Sequence, residues 1–232
     1  MVWEVPYLPL DPVDIGRTYD GTIRINSQSG KGGVAYTLEE AFGVVLPHGL
    51  QIEFARVVQG HTEKTGEEID LPQLWALFED TYLTSPGKRA LNGFRRLDAG
   101  EVSAVEASAV NQVGWVSVAF HLFGHSFETV GAGDDVLTAF LDGLWRSFAC
   151  QVRIINFETT VNERDGIRRH LACLELVEPS GRSCYGVGRN ICAVSASLEA
   201  VVSALSRLQP SLLRTADTGD AAGLRVATGG LF

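Results

Sequence analysis

The chain has 232 residues, a formal net charge of −9 and an isoelectric point near 5.0. Hydrophobic residues make up 45% and charged residues 20%, which is ordinary for a globular protein with one sizeable core or two small ones. The acidic balance and the lack of a basic patch argue against nucleic acid or an anionic membrane as a partner. No apolar run approaches the roughly 20 residues that span a bilayer.

The four cysteines show no C-x-x-C spacing, so we expect reduced thiols and a cytoplasmic protein rather than a disulfide or zinc framework. They are Cys150, Cys173, Cys184 and Cys192.

Residues 1–36 are predicted to be an extended strap, a short strand and a glycine hinge. Three prolines spaced three apart exclude a helix near the start, and GTIRINS (21–27) alternates isoleucine with polar residues as a strand does. The stretch RINSQSGKGGVAY (24–36) then raises the question of a phosphate-binding loop. A Walker A loop needs a hydroxyl residue after its lysine and a first glycine five positions before the second, and neither is present here. Three glycines therefore predict a hinge: Gly30, Gly32 and Gly33.

Residues 37–84 are predicted to be a small helical subdomain, and 85–100 a linker. PHGLQIEFARVVQGH (47–61) repeats apolar residues at helical spacing, as does DLPQLWALFEDTYL (70–83). Asp70 with Gln73 three residues later is the signature of a helix-capping box.

Residues 101–209 are predicted to be a domain of two strand–strand–strand–helix copies, which makes the fold class α+β. The first copy has strands at 101–112, 115–123 and from 126, and the second at 152–161, 170–177 and 182–190. A G-x-G pair closes the third strand of each copy, 55 residues apart, and an amphipathic helix follows. Residues 210–232 lose this periodicity and are predicted to be a mobile tail.

Several residues in this domain are candidates for chemistry, each with a structural alternative. His121 and His125 are predicted to face solvent rather than to bind a metal. Asp134 and Asp135 open a predicted helix, where capping is favoured over an acid pair. The two G-x-G pairs either direct free backbone N–H groups toward a small carboxylate or are simple tight-turn glycines, and the sequence does not separate these readings.

These residues also carry a family resemblance. VPYLPLDPVDIGRTYDGTIRINSQSGKGGVAY (5–36) resembles the segment that follows the catalytic barrel of 2-isopropylmalate synthases of the longer actinobacterial type. LPHGLQIEFARVVQ (46–59) and LWALFEDTYL (74–83) resemble the next helical subdomain, and GVGRNICAVSASLEAVVSALSRL (186–208) resembles the last turn and helix of the C-terminal leucine-sensing and dimerisation domain. The resemblance covers roughly residues 3–208.

The resemblance implies a role without its own catalytic centre. In that family a (β/α)₈ barrel condenses acetyl-CoA with 2-oxoisovalerate and holds the metal, the base and the CoA site. A barrel needs about 250 residues, so we expect this chain to hold no metal or cofactor and not to be active alone. Full-length members form swapped dimers, and Tyr19 is the residue that would reach a partner's active site.

The resemblance also implies a leucine site at a dimer interface, built from the glycine pairs and the starts of both helices. The corresponding residues are Gly131, Gly133, Leu137 and Ala139 in the first copy and Gly186, Gly188 and Ala193 in the second. Two departures from the family pattern weaken the case for leucine. Asp134 and Asp135 add carboxylates that would repel a ligand carboxylate, although they would pair with its ammonium. The family's proline after the second glycine pair is also replaced.

Three functions remain open from the sequence. The first is a non-catalytic regulatory and dimerisation module of a 2-isopropylmalate synthase-like enzyme in leucine biosynthesis, forming a homodimer and binding leucine or a related branched-chain amino acid. The second is a stand-alone partner that completes a separate, barrel-only acyltransferase in trans. The third is a repurposed small-molecule sensor.

Overall fold

The computed structural model describes residues 31–83, 89–98, 114–164 and 166–208, which form five helices and two three-stranded antiparallel sheets. The helices are α1 (Lys31–Phe42), α2 (His48–Thr65), α3 (Leu71–Tyr82), α4 (Val136–Phe148) and α5 (Ala193–Leu208). The strands are β1 (Arg89–Leu97), β2 (Gly114–Leu122), β3 (His125–Gly133), β4 (Arg153–Arg164), β5 (Ile167–Val177) and β6 (Ser183–Asn190). The predicted strap, the strands at 21–27 and 101–112, and the tail all fall outside the described residues. No described helix is both long and apolar enough to cross a bilayer.

The α+β class and the repeated strand–strand–strand–helix unit are confirmed. The first sheet has the order β1-β2-β3 and is followed by α4, and the second has the order β4-β5-β6 and is followed by α5. We call these two assemblies the first unit and the second unit.

The predicted linker at 85–100 is wrong at residues 89–97, which form strand β1. This strand pairs antiparallel with β2, and its register shifts near Gly93, whose φ of 153° favours glycine. Its sequence, RALNGFRRL, gives a weak strand signal because glycine and three arginines interrupt the alternation. Pairing with β2 and the packing of Leu91 and Phe94 against the core decide its conformation instead.

Both predicted helices of the subdomain are confirmed, and a third precedes them. In α3, Asp70 accepts the N–H of Gln73 at 2.9 Å, and the Gln73 amide oxygen accepts the N–H of Asp70 at 2.9 Å, which completes the capping box. Helix α2 continues to Thr65, beyond its predicted end, and stops where Gly66 adopts φ 71°.

Helix α1 was not predicted, because its first residues belong to the expected hinge. Gly32 and Gly33 lie in its first turn, while Gly30 falls outside the described residues. Burial of Val34 and Leu38 in the core formed with α2 and α3 stabilises this helix despite its glycines.

The second sheet is covered on both faces. Alternate residues of β5 point in opposite directions, so Ala172, Leu174 and Leu176 join the core with α5, whereas Leu171 and Cys173 join the core of α1–α3. The helical subdomain is therefore not a separate body: it shares a hydrophobic core with the second unit.

The first sheet buries one face in the same core as α5. Val116, Val118 and Phe120 on β2 face α4, where the Phe120 and Phe140 rings lie 5.4 Å apart, edge to face. Helix α5 contacts β5 and β6 on one side and β1 and β2 on the other, so it lies between the two sheets.

Close approach of a helix to a strand explains the G-x-G pairs. A Cβ on Gly131 or Gly133 would come well inside 3.0 Å of the α4 backbone at Thr138, Ala139 or Gly143. Gly186 and Gly188 meet the α5 backbone in the same way. Only a residue without a side chain permits this helix–strand distance.

Gly188→Ala should therefore lower the free energy of unfolding by about 2 kcal/mol or more, because the new methyl group meets the fixed Ala196 carbonyl. Urea or thermal denaturation followed by circular dichroism measures the effect. Gly60→Ala is the matched control: Gly60 lies inside α2 with open space around it, so the same change should stabilise by roughly 0.5–1 kcal/mol. Equal effects at both positions would contradict the close-packing explanation.

Candidate functional site

The predicted ligand residues form two groups, one on each unit. Gly131 and Gly133 are the last alternate residues of β3, with Leu137 and Ala139 in α4 beside them, and Ala139 is fully buried. The other group lies on the second unit: Gly186 and Gly188 in β6 and Ala193 at the start of α5.

The prediction that the glycine pairs form turns is wrong. All four glycines lie in strands and face a helix, and the residue between each pair has its N–H satisfied by that helix. The N–H of Ala132 donates to the Asp142 carboxylate at 2.8 Å, and the N–H of Val187 donates to the Ser203 hydroxyl at 3.3 Å. A ligand role for the neighbouring residues stays a prediction.

In each unit, the helix that packs on the glycine pair carries a polar side chain and, four residues later, an arginine. The two arginines have different partners. Asp142 and Ser203 occupy equivalent positions, and an arginine follows each by four residues. In the first unit Arg146 bonds Asp142 at 2.5 Å and lies 5.2 Å from the Trp115 ring centroid, so both of its partners belong to the same unit. In the second unit the equivalent Arg207 reaches the helical subdomain instead.

We call the contact between Arg207 and the subdomain the clamp, formed by Arg207, Glu53, Tyr82 and Tyr185. Arg207 donates to the Glu53 carboxylate and, at 2.5 Å, to the Tyr185 carbonyl oxygen. Glu53 also accepts the Tyr82 hydroxyl at 3.0 Å and the Tyr185 N–H at 3.3 Å. The Arg207 guanidinium lies 4.5 Å from the Tyr82 ring centroid. Three helices and one strand thus meet around one ion pair.

Partial burial makes this ion pair stronger than a surface pair. The Arg207 and Glu53 side chains are 21% and 24% exposed. Burial, together with the neighbouring Glu53 carboxylate, raises the pKa of the Tyr82 phenol, so Tyr82 remains a neutral hydrogen-bond donor. Charge-assisted hydrogen bonds of this kind are about twice as strong as neutral ones.

The carboxyl-terminal end of α3 is held by two further side chains. Ser203 donates its hydroxyl to the Tyr82 carbonyl oxygen. Arg89 from β1 donates to the carbonyl oxygens of Leu83 at 2.8 Å and Asp80 at 2.6 Å, and burial lowers the pKa of its guanidinium. These bonds satisfy carbonyls that a helix end otherwise leaves without partners.

Sequence reasoning missed the clamp, although one signal for it exists. Asp142/Arg146 and Ser203/Arg207 share the same four-residue spacing at equivalent positions of the two units. These two pairs are 61 residues apart, whereas the glycine pairs are 55 apart, so an alignment of the repeats brings Ser203 and Arg207 onto Asp142 and Arg146 only with a six-residue insertion in the second copy.

The remaining candidates behave as structural residues. Asp135 caps α4 by accepting the Thr138 N–H at 2.7 Å, as predicted, and Asp134 is exposed. His121 approaches Ser126 at 3.4 Å. The described residues contain no group of three His, Cys, Asp or Glu side chains placed to hold a metal ion. Tyr19 lies outside the described residues.

A buried carboxylate, Glu199, fixes the end of β6. It accepts the Arg189 N–H at 3.1 Å and the Asn190 side-chain amide at 2.7 Å, and burial raises its pKa. It acts as an internal partner for backbone and amide groups just after Gly188.

The four cysteines are all free thiols but differ in environment. Burial raises the pKa of Cys150 to about 11 and the pKa of Cys173 and Cys184 to about 12. Cys192 is exposed, and a backbone hydrogen bond at Ser195 lowers its pKa. Because the thiolate is the reactive form, Cys192 should react first.

At pH 8, a thiol reagent such as 5,5′-dithiobis(2-nitrobenzoate) should react in two phases. One thiol per chain, that of Cys192, should react in the fast phase, and the other three should react slowly. Cys192→Ser should remove the fast phase, whereas Cys173→Ser should leave it intact. Several fast equivalents in the native protein would contradict the burial of the other thiols.

Arg207→Met should destabilise the protein by about 2 kcal/mol, since it leaves Glu53 partly buried without its cation. Arg146→Met is the matched control at the equivalent position of the first unit. Its partner is four residues away on the same helix and its side chain is 38% exposed, so the expected loss is roughly 0.5 kcal/mol. Denaturant unfolding of both variants provides the comparison, and equal losses would contradict a special role for the clamp.

Comparison with known proteins places these observations in a family. A family model described as "Alpha-isopropylmalate synthase, post-catalytic domain-like" matches residues 1–39. The 2-isopropylmalate synthase of Rhodospirillum rubrum is 40% identical over 209 residues, which cover 89% of this chain and 36% of that protein. The 2-isopropylmalate synthase of Thermobifida fusca is 38% identical over 209 residues, covering 90% of this chain and 34% of that protein. The chain spans about a third of the length of the curated relatives it matches. It belongs to the 2-isopropylmalate synthase family and corresponds to the part that follows the catalytic domain.

Proposed function

We propose that this chain is the non-catalytic regulatory and dimerisation module of a 2-isopropylmalate synthase-like enzyme in leucine biosynthesis. The observation that carries this proposal is the docking of the helical subdomain on the second unit, through the clamp and a shared hydrophobic core. Residues 1–39, which match the post-catalytic model, run into α1, and α1–α3 share their core with the second unit. A shift of the second unit would therefore move the segment closest in sequence to the catalytic part.

A branched-chain amino acid is the ligand that the proposal assigns to this module, at the starts of α4 and α5. Ile191 and Val194, next to Ala193, are 72% and 37% exposed and offer apolar surface to an aliphatic side chain. Asp135 is already bonded to the Thr138 N–H, whereas the exposed Asp134 carboxylate suits a ligand ammonium. Exposed apolar side chains and an exposed carboxylate support a small amphipathic ligand with one positive group.

Calorimetry with L-leucine, L-isoleucine and L-valine tests this assignment. We expect saturable heat with at least one of them and at least tenfold weaker binding in Ala193→Glu, because the new carboxylate would lie beside the ligand's own. Ala76→Glu is the control, since Ala76 is an exposed alanine on α3, away from the predicted site. Absence of heat with all three amino acids, together with an unchanged melting temperature, would overturn the sensing role.

A second experiment separates regulation within one enzyme from action in trans. The purified chain is added to a 2-isopropylmalate synthase truncated after its barrel, and acetyl-CoA consumption is followed by thiol release. The regulatory proposal predicts no activity from the chain alone. Increased turnover in the mixture would favour the stand-alone partner, and thiol release by the chain alone would contradict a non-catalytic role.

A further inference from the structure

Strand β4 is the open edge of the second sheet. The sheet order is β4-β5-β6, so among the described residues only β5 pairs with β4. The strand is 12 residues long, and most of its side chains between 153 and 163 are exposed. A long open edge presents unpaired N–H and C=O groups, and proteins usually shorten, charge or cover such strands.

One face of this edge is also apolar. Phe157 and Val161 are 44% and 47% exposed. Both point to the same face of the sheet as the buried Leu174, which pairs with Phe157. Ile155, at the register shift in the same strand, is 48% exposed. Helix α5 covers β5 and β6 on this side but leaves these residues accessible.

The corresponding strand of the first unit, β1, has apolar side chains packed against the core. Strand β1 is also the first strand of its unit, and its Leu91 and Phe94 pack against the core. Helix α5 contacts β1 but provides no such cover for Phe157 or Val161. Ile154 at the start of β4 also packs against the core, but Phe157 and Val161 farther along the strand stay exposed.

We propose that a second copy of this chain covers β4, by antiparallel pairing of the two β4 strands about a two-fold axis at Thr159. The proposal deepens the dimerisation role proposed above and rests on it. In this register Phe157 lies opposite Val161 of the second copy, and Thr159 lies opposite Thr159. The two sheets join into one sheet of six strands.

Charge selects this register over its neighbour. With the axis at Thr159, Glu158 lies opposite Thr160 of the second copy. With the axis one residue earlier, the two Glu158 carboxylates would lie directly opposite each other, which is destabilising. An axis at Phe157 would place Val161 opposite Arg153, much as the axis at Thr159 places Ile155 opposite Glu163, but it would form only one apolar pair, between the two copies of Phe157. The register at Thr159 forms the Phe157–Val161 pair twice, which is the self-complementarity that an isologous interface requires.

Cysteine cross-linking tests the register directly. In a Cys192→Ser background, Thr159→Cys should form a disulfide-linked dimer under mild oxidation, because opposite residues of antiparallel strands are about 4.5–5.5 Å apart at Cα, which suits a disulfide. Glu158→Cys is the matched control, since this register places residue 158 opposite Thr160 of the second copy and not opposite itself. This variant should form the disulfide several-fold more slowly. Equal linking at both positions, or none at 159, would overturn the register.

Sedimentation over a concentration series tests the surface itself. Val161→Lys should weaken the dimer at least tenfold, whereas Val45→Lys, at a valine that is 45% exposed in the α1–α2 loop, should leave it unchanged. Circular dichroism checks that both variants are folded. A wild-type monomer would refute the proposed dimerisation altogether. A wild-type dimer unaffected by Val161→Lys would refute only the β4 interface and point to another surface or to a different partner for β4.

Discussion

The ion pair between Glu53 and Arg207 is the contact around which this molecule is organised. It joins α2 to α5, and its two residues also bond Tyr82 on α3 and Tyr185 on β6. Gly49 leaves room for the Tyr185 hydroxyl, so α2 lies close to β6 beside this ion pair. Because an uncompensated carboxylate is costly in a partly buried site, the helical subdomain and the second unit favour a single relative arrangement.

The two units share a plan and differ in how the arginine beside each glycine pair is used. In both, a pair of glycines brings a helix close to the third strand, and a helical side chain accepts the N–H of the residue between them. In the first unit that side chain is a carboxylate that holds its own arginine. In the second it is a serine, which frees the arginine for Glu53. Arg146 thus bonds within its own helix, whereas Arg207 bonds the helical subdomain.

The first strands of the two units differ in how far other elements cover them. Helix α5 lies between the sheets and contacts β1 as well as β5 and β6, so β1 is covered while β4 is left with exposed apolar side chains. Docking of α1–α3 covers the other face of the second sheet. The second unit is thereby joined to the helical subdomain on one face and has an open edge, β4, beside the other.

The sequence by itself determined the elements whose signals are local: the Asp70–Gln73 capping box, the amphipathic helices, the alternating strands and the 55-residue repeat of the glycine pairs. These follow from side-chain periodicity and backbone hydrogen bonding within a few residues. It also determined the family, because whole motifs resemble those of 2-isopropylmalate synthases. Only the tertiary structure decided that RALNGFRRL is a strand, that Gly32 and Gly33 begin a helix and that the glycine pairs face helices instead of forming turns. It also decided that Arg207 binds Glu53, 154 residues away. Each of these depends on which surface comes to cover a segment, and such long-range packing leaves no periodic trace in the segment itself.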